Sequence, residues 1–278
     1  MRPESGYQFH QQRKEFGTSR EAIIQQTRQR MESLGLSQED MPTRQTFFPY
    51  RSRLDMYARR YQAVGSDHDI RHADATMVLA HLMARYADSH LPLPEAHLNR
   101  EALLMAGATH DVRRTGDYIE TVLHLSRHGK LAADMVASFY PEIFSNGLPS
   151  VEKTLRLVQQ IDTYHDIDRH APQEARSLEL QLFVIADRLE LSRLHLSQKL
   201  LSKLMAPAIV RSRVHKYDGN IFSPYLAMFG PIADGLLLLS KEYLAKSNDP
   251  RNPDNHFAAV MQAAEDLGII APESSKQS

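Results

Sequence analysis

The chain has 278 residues, 42% of them apolar, and a formal net charge of -1. That is enough apolar matter for one large core or a core with appendages, and the balanced charge favours neither nucleic acid nor an anionic membrane surface as a partner. No cysteine is present, which excludes a disulfide framework, a thiolate zinc site and a cysteine nucleophile.

Residues 1 to about 17 are polar and lack an apolar signal region. No apolar run approaches the roughly 18 residues that would span a bilayer. A soluble cytoplasmic protein is therefore expected. Thr18-Ser19-Arg20-Glu21 reads as a capping box that opens a helix closed by Gly35. Pro42 and Pro49 break the chain before a basic-aromatic stretch over residues 50–61 with Arg51, Arg53, Arg59 and Arg60. A phosphate- or nucleic-acid-binding patch is one reading of it, and a solvated helix face is the favoured one. Ser66 or Asp67 caps a helix to about Ala87, in which Ala73, Met77, Ala80 and Ala84 recur as one buried face. Pro92 and Pro94 mark a loop, and Asn99 caps the next helix, with His110-Asp111 near its C-terminal end.

After Gly116 a further helix runs to about Ser138, and Pro141, Gly147 and Pro149 form the following loop. Ser150 caps a helix that ends near His165. Pro172 starts another, with Leu178, Leu182, Ile185, Ala186 and Leu189 along one side. Beyond residue 196, Pro207, Pro224 and Pro231 are expected to break two or three helices. Phe222, Tyr225, Met228 and Phe229 form an aromatic-rich cluster there. It could close over a substrate, form the face of a homo-oligomer or, most simply, be core. No repeat, alternating strand pattern or glycine-rich phosphate loop is visible. The expected fold is all-α: a helical extension over 1–60, a core over 61–195, and a second extension over 196–278 with a disordered tail.

Helix bundles build metal sites from inward-facing side chains on different helices. His72, His110-Asp111, His128, His165 and Asp187 each fall on a different predicted helix or at its end. Imidazole nitrogen and carboxylate oxygen together suit zinc, iron, manganese and similar divalent ions. Six such groups suffice for two ions sharing a ligand. Asp187 lies in the apolar run Val184 to Leu189, where an unpaired carboxylate is costly. Metal ligation answers that cost, and so does an ion pair with Arg188 or Arg193.

His68, one turn before His72, faces the same side and could reach substrate or an outer carboxylate. His124, one turn before His128, competes with it as a ligand, and His128 is favoured. Asp117 and Glu120 are candidate general acids. His81 and His195 lie on helices and are read as non-functional. His10, His90, His97, His170, His215 and His256 are expected at the surface.

The stretches SDHDIRHADATMVLAHLMA, ATHDVRRTGD, RHGKLAADMV, IDTYHDID and FVIADRLELSRL resemble the HD-domain superfamily of metal-dependent phosphohydrolases, over roughly residues 66–195. The resemblance implies an HD-domain helical bundle with terminal extensions. It implies His72, His110, Asp111 and Asp187 as ligands of a first divalent metal, and His128 and His165 as ligands of a second, with Asp111 bridging. One or two ions per chain are expected, from among Mn, Fe, Ni, Co, Mg and Zn. A metal-activated water would attack a nucleotide or other small phosphorylated substrate.

The cyclic-dinucleotide branch carries a lysine three positions after the doublet's aspartate and a downstream Gly-Tyr-Pro. This chain has Arg114 at the first position and lacks the second motif, which disfavours a cyclic dinucleotide. Arg114 remains a phosphate clamp by chemistry, with Arg113 or Lys130 assisting. The same four histidines and two aspartates also serve the superfamily's di-iron oxygenases, the second reading. A metal-binding regulatory module without turnover is the third.

Overall fold

The computed structural model describes residues 19–36, 41–51, 70–90, 98–111, 127–143, 151–165, 171–197, 222–250 and 252–272. In chain order the elements are α1 (Arg20–Ser33), a helical segment over residues 44–51, α2 (Ile70–His90), α3 (Arg100–Thr109), α4 (Arg127–Ile143), α5 (Val151–Tyr164), a 3-10 turn (Gln173–Ala175), α6 (Leu178–Ser197), α7 (Phe222–Ala245) and α8 (Pro253–Leu267). Among the described residues there is no strand, so the protein is all-α. None of the described helices is long and apolar enough to cross a membrane. The chain divides into two compact units, one joining Met1–Met41 to Leu191–Ile270, the other comprising Pro42–Glu190 with Ala271–Ser278.

The second unit is organised around α2. Met77, Val78, Leu79, Ala80, Leu82, Met83 and Ala84 are all buried, so the helix is covered nearly all round, as a central helix must be. The expected single buried face is too narrow a description, and Ala73, assigned to it, is only half-buried. Helix α3 lies against α2 at backbone range: a Cβ added at Gly107 would come within 2.7 Å of the Met77 Cα. Asn99 then ties three helices together. Its Oδ1 accepts from the Ala102 N–H at 3.0 Å to cap α3, its Nδ2 donates to Thr154 Oγ1 of α5 at 2.9 Å, and its N–H donates to Glu179 Oε1 of α6 at 3.1 Å.

Arg51 is not on a solvated face. It is buried, with its Nε 3.0 Å from Asp74 Oδ1 on α2, because a charge taken out of water needs a counter-charge. Helix α4 runs past the expected end at Ser138 to Ile143 and includes Pro141.

In the first unit, Ser19, rather than Thr18, caps α1 by accepting from the Ala22 N–H at 3.2 Å, and Gly35 follows with φ 67°. Arg20 on α1 donates to Tyr243 of α7 and to Asp266 of α8, and the Tyr243 hydroxyl donates to the same Asp266 oxygen. Neither Pro224 nor Pro231 breaks the chain: both lie within α7. Pro224 sits in the first turn, where no N–H is needed. Near Pro231, the Met228 carbonyl accepts from Arg30 Nε at 3.0 Å. Phe229 is fully buried core. His256, expected at the surface, is buried, with Nε2 donating to the Pro250 carbonyl at 2.8 Å.

Candidate metal centre

Five elements of the second unit deliver side chains to one buried point. His72 comes from the first turn of α2, His110 and Asp111 from the end of α3, His128 from the first turn of α4, His165 from the residue after α5, and Asp187 from the middle of α6. All six residues named from the sequence as metal ligands meet there. The side chain of His128 is 11% exposed, and the other five range from 0 to 7%.

The donors form two groups that could each hold a metal ion. In the first, of His72, His110 and Asp111, His72 Nε2 lies 3.2 Å from His110 Nε2 and 3.4 Å from Asp111 Oδ2, and Asp187 Oδ1 stands beside the group, 3.1 Å from His72 Nε2. His110 Nε2 lies 3.6 Å from each of the same two carboxylate oxygens. In the second, His128 Nε2 lies 3.2 Å from His165 Nε2 and 3.3 Å from Asp111 Oδ1, and His165 Nε2 lies 3.7 Å from that oxygen.

A metal–ligand bond of about 2.1 Å spaces neighbouring donors about 3.0 Å apart in an octahedron and about 3.4 Å in a tetrahedron. The observed separations sit in or near that band. Asp111 belongs to both groups, with one oxygen in each.

Ring orientation supports the same fit. His110 Nδ1 donates to the Ala106 and Gly107 carbonyls, both at 3.1 Å, and His165 Nδ1 donates to the Asp162 carbonyl at 2.8 Å. His72 Nδ1 donates to Glu190 Oε2. Carbonyls and carboxylates only accept, so Nδ1 of each of these rings carries a proton; with Nε2 unprotonated, its lone pair would face the centre, as a metal-binding imidazole requires. Phe183, one helical turn before Asp187, packs edge-on against His110 and His165 at centroid distances of 5.2 and 6.4 Å.

The electrostatics favour positive charge at this point. Burial works against the charged form of His72, yet the carboxylates of Glu190, Asp111 and Asp187 outweigh it and hold its pKa well above the ordinary value. Burial likewise opposes ionisation of Asp187, but hydrogen bonds from His110 and His72 hold its carboxyl well below the usual range.

Two positions unremarked in the sequence have defined roles. Glu190 backs His72. Asp162 accepts from Thr109 Oγ1 at 2.8 Å, and burial pushes its carboxyl well above the usual range. Their signal was present only as polar residues inside apolar helical stretches. Gly129, noted only as part of a motif, brings α4 onto α5: a Cβ there would collide with the Asp162 carbonyl oxygen.

Lys130 is exposed, and it starts about 200° round α4 from His128. His81 is buried edge-on against Phe47 at 5.5 Å, outside the cluster. His68, Arg113, Arg114, Asp117, Glu120 and His124 lie outside the described residues.

No match was found. Neither the protein-family models, nor the curated proteins, nor the solved structures contain a significant relative of this chain. The functional reading therefore rests on the centre itself.

Proposed function

We propose that the protein is a metal-dependent phosphohydrolase of HD-domain type, acting on a nucleotide or other small phosphoester. The observation that carries this is Asp111: its two oxygens face two separate histidine pairs, with imidazole nitrogens 3.3 to 3.7 Å away. A carboxylate so placed suits two divalent ions about 3.5–4 Å apart, the spacing used for in-line displacement at phosphorus.

His72, His110 and Asp187 would hold the first ion, His128 and His165 the second, with Asp111 available to both. When bound, such ions neutralise phosphoryl oxygens and make a coordinated water acidic enough to attack. The chain's own residues orient the imidazoles and exclude bulk water through Phe183 and the surrounding apolar core. Arg114, three residues after Asp111, supplies a guanidinium whose fork matches phosphate oxygens.

The test is hydrolysis of p-nitrophenyl phosphate and of nucleotides by the full chain with Mn²⁺, Ni²⁺, Co²⁺ or Mg²⁺, beside elemental analysis of the purified protein. Metal-dependent phosphate release with about two ions per chain supports the proposal. Iron as the bound metal, with dioxygen consumption and no phosphate release, would replace it with the oxygenase reading. Ion binding without turnover of either kind would leave a regulatory metal module.

A further inference from the structure

One residue of α5 touches the chain at or beside all three ligands of the second donor group, Asp111, His128 and His165. Asp162 lies three residues before His165, and its carbonyl accepts from His165 Nδ1 at 2.8 Å. The same carbonyl oxygen stands where a Cβ on Gly129, the residue after His128, would have to go. The Asp162 side chain reaches α3, where its Oδ2 is hydrogen-bonded to Thr109 Oγ1 at 2.8 Å, two positions before Asp111. That hydroxyl is also 2.9 Å from the Met105 carbonyl one turn back, so its place is set by the backbone of α3.

Holding α3 to α5 does not by itself call for an aspartate. Asp162 and Thr109 are both fully buried, and among the described residues Asp162 Oδ1 has no hydrogen-bond partner. A buried oxygen left so is costly, and an apolar side chain would join the two helices at less expense. What the aspartate adds is direction, because a hydrogen bond fixes a distance and an angle where apolar contact fixes neither. The ligands named for the first ion come from α2, α3 and α6. The second group joins the end of α3 to the end of α5, with Asp111 Oδ1 3.7 Å from His165 Nε2.

Resting on the two-ion reading above, we propose that Asp162 is a positioning residue for the Asp111–His128–His165 group. Its bond to Thr109 holds the end of α3 in register with the end of α5, so that Asp111 and His165 can share one ion.

The test titrates Co²⁺ into the metal-free full chain, followed by visible absorption and calorimetry. The wild type should bind in two steps. His165→Ala identifies the step of the second group by removing it, and Asp187→Asn identifies the other. Asp162→Ala and Thr109→Val should each weaken the step of the second group about 10- to 100-fold and alter its absorption bands. The other step should stay unmoved. The double variant should be no weaker than the worse single one, since both remove the same bond. Asp162→Asn should bind nearly as the wild type does, because an amide can accept from or donate to the Thr109 hydroxyl. A role confined to stability would lower the Tm of the metal-free variants without singling out one step. Circular dichroism checks that each metal-free variant is folded. If Asp162→Ala does not fold, Thr109→Val and Asp162→Asn still decide.

Wild-type binding in Asp162→Ala or Thr109→Val, or equal weakening of both steps, overturns the role of Asp162 alone. So does an Asp162→Asn variant as weak as Asp162→Ala, which would make charge rather than the bond the cause. A wild type that binds fewer than two Co²⁺ ions overturns the two-ion reading, and this inference with it. Loss of the same step in His165→Ala and Asp187→Asn does the same.

Discussion

Gly129 and Asp162 meet backbone to backbone: a Cβ on the glycine would collide with the aspartate's carbonyl oxygen, and the next group in its way is Cε1 of His165, at 3.3 Å. The same carbonyl accepts from His165 Nδ1. Helix α4 therefore seats its His128 beside His165 only because nothing protrudes from residue 129. Gly129→Ala is expected to push α4 away from α5 and cost about 1–3 kcal/mol of stability, as overpacking does. It should also separate His128 from His165. Urea denaturation and metal content check this together: one ion lost per chain while the other stays.

Among the described residues, Asp111 alone enters both donor groups. Asp111→Ala should therefore remove metal from both pockets. It should lower phosphoester hydrolysis by at least about 100-fold, given that metal stabilisation of phosphoryl charge contributes several kcal/mol. Elemental analysis beside a turnover assay reads both. Full metal content with full turnover in this variant would place the centre elsewhere.

Metal removal should destabilise the fold. Donors from five elements converge on one point, so an ion bound there stabilises only the folded chain. At a free concentration one hundred times its Kd, it contributes about 2.7 kcal/mol. Chelator should lower the Tm, and restored Mn²⁺ or Co²⁺ should raise it again in proportion to the logarithm of concentration. The Asp187→Asn variant should show a smaller recovery.

His81 makes stability pH-dependent. Burial, with Arg100 and Arg85 nearby, lowers its pKa to about 4 from an ordinary 6.5. Between those values the unfolded chain binds the proton and the folded chain does not, so stability falls as pH falls through that window. The contribution is complete above about 6.5. Its loss by pH 4 amounts to about 3 kcal/mol at most. His81→Phe should flatten this part of the curve relative to wild type in urea titrations at pH 7, 6 and 5. An unchanged pH dependence would show that His81 is not the group responsible.

Arg51 and Asp74 should behave as a buried pair. Removing either partner alone takes a counter-charge from the other in the core, which costs up to about 3–5 kcal/mol. Arg51→Met is expected to destabilise by that order. Adding Asp74→Leu should recover part of the loss. The double-mutant cycle in urea measures the coupling.

Much of the local structure was legible in the residues. Asn99 and Gly35 mark helix ends because caps are short-range chemistry, and the six candidate ligands stand out because histidine and aspartate recur on successive helical stretches. Prolines misled the helix boundaries, since Pro141, Pro224 and Pro231 sit inside helices whose packing or position tolerates them. Arg51 and His256 read as surface residues in the sequence, because the partners that permit their burial, Asp74 and the Pro250 carbonyl, are brought to them by folding.

The sequence by itself determined the helical class and the candidate ligand set, because periodicity, capping and residue chemistry act over a few positions. Only the tertiary structure decided that Asp111 turns one oxygen to each histidine pair, that Glu190 stands behind His72, and that Gly107 and Gly129 let helices approach at backbone range. Those relations join residues tens of positions apart. They depend on which backbones can touch and which buried charges then find partners, and that is settled by packing the helices together.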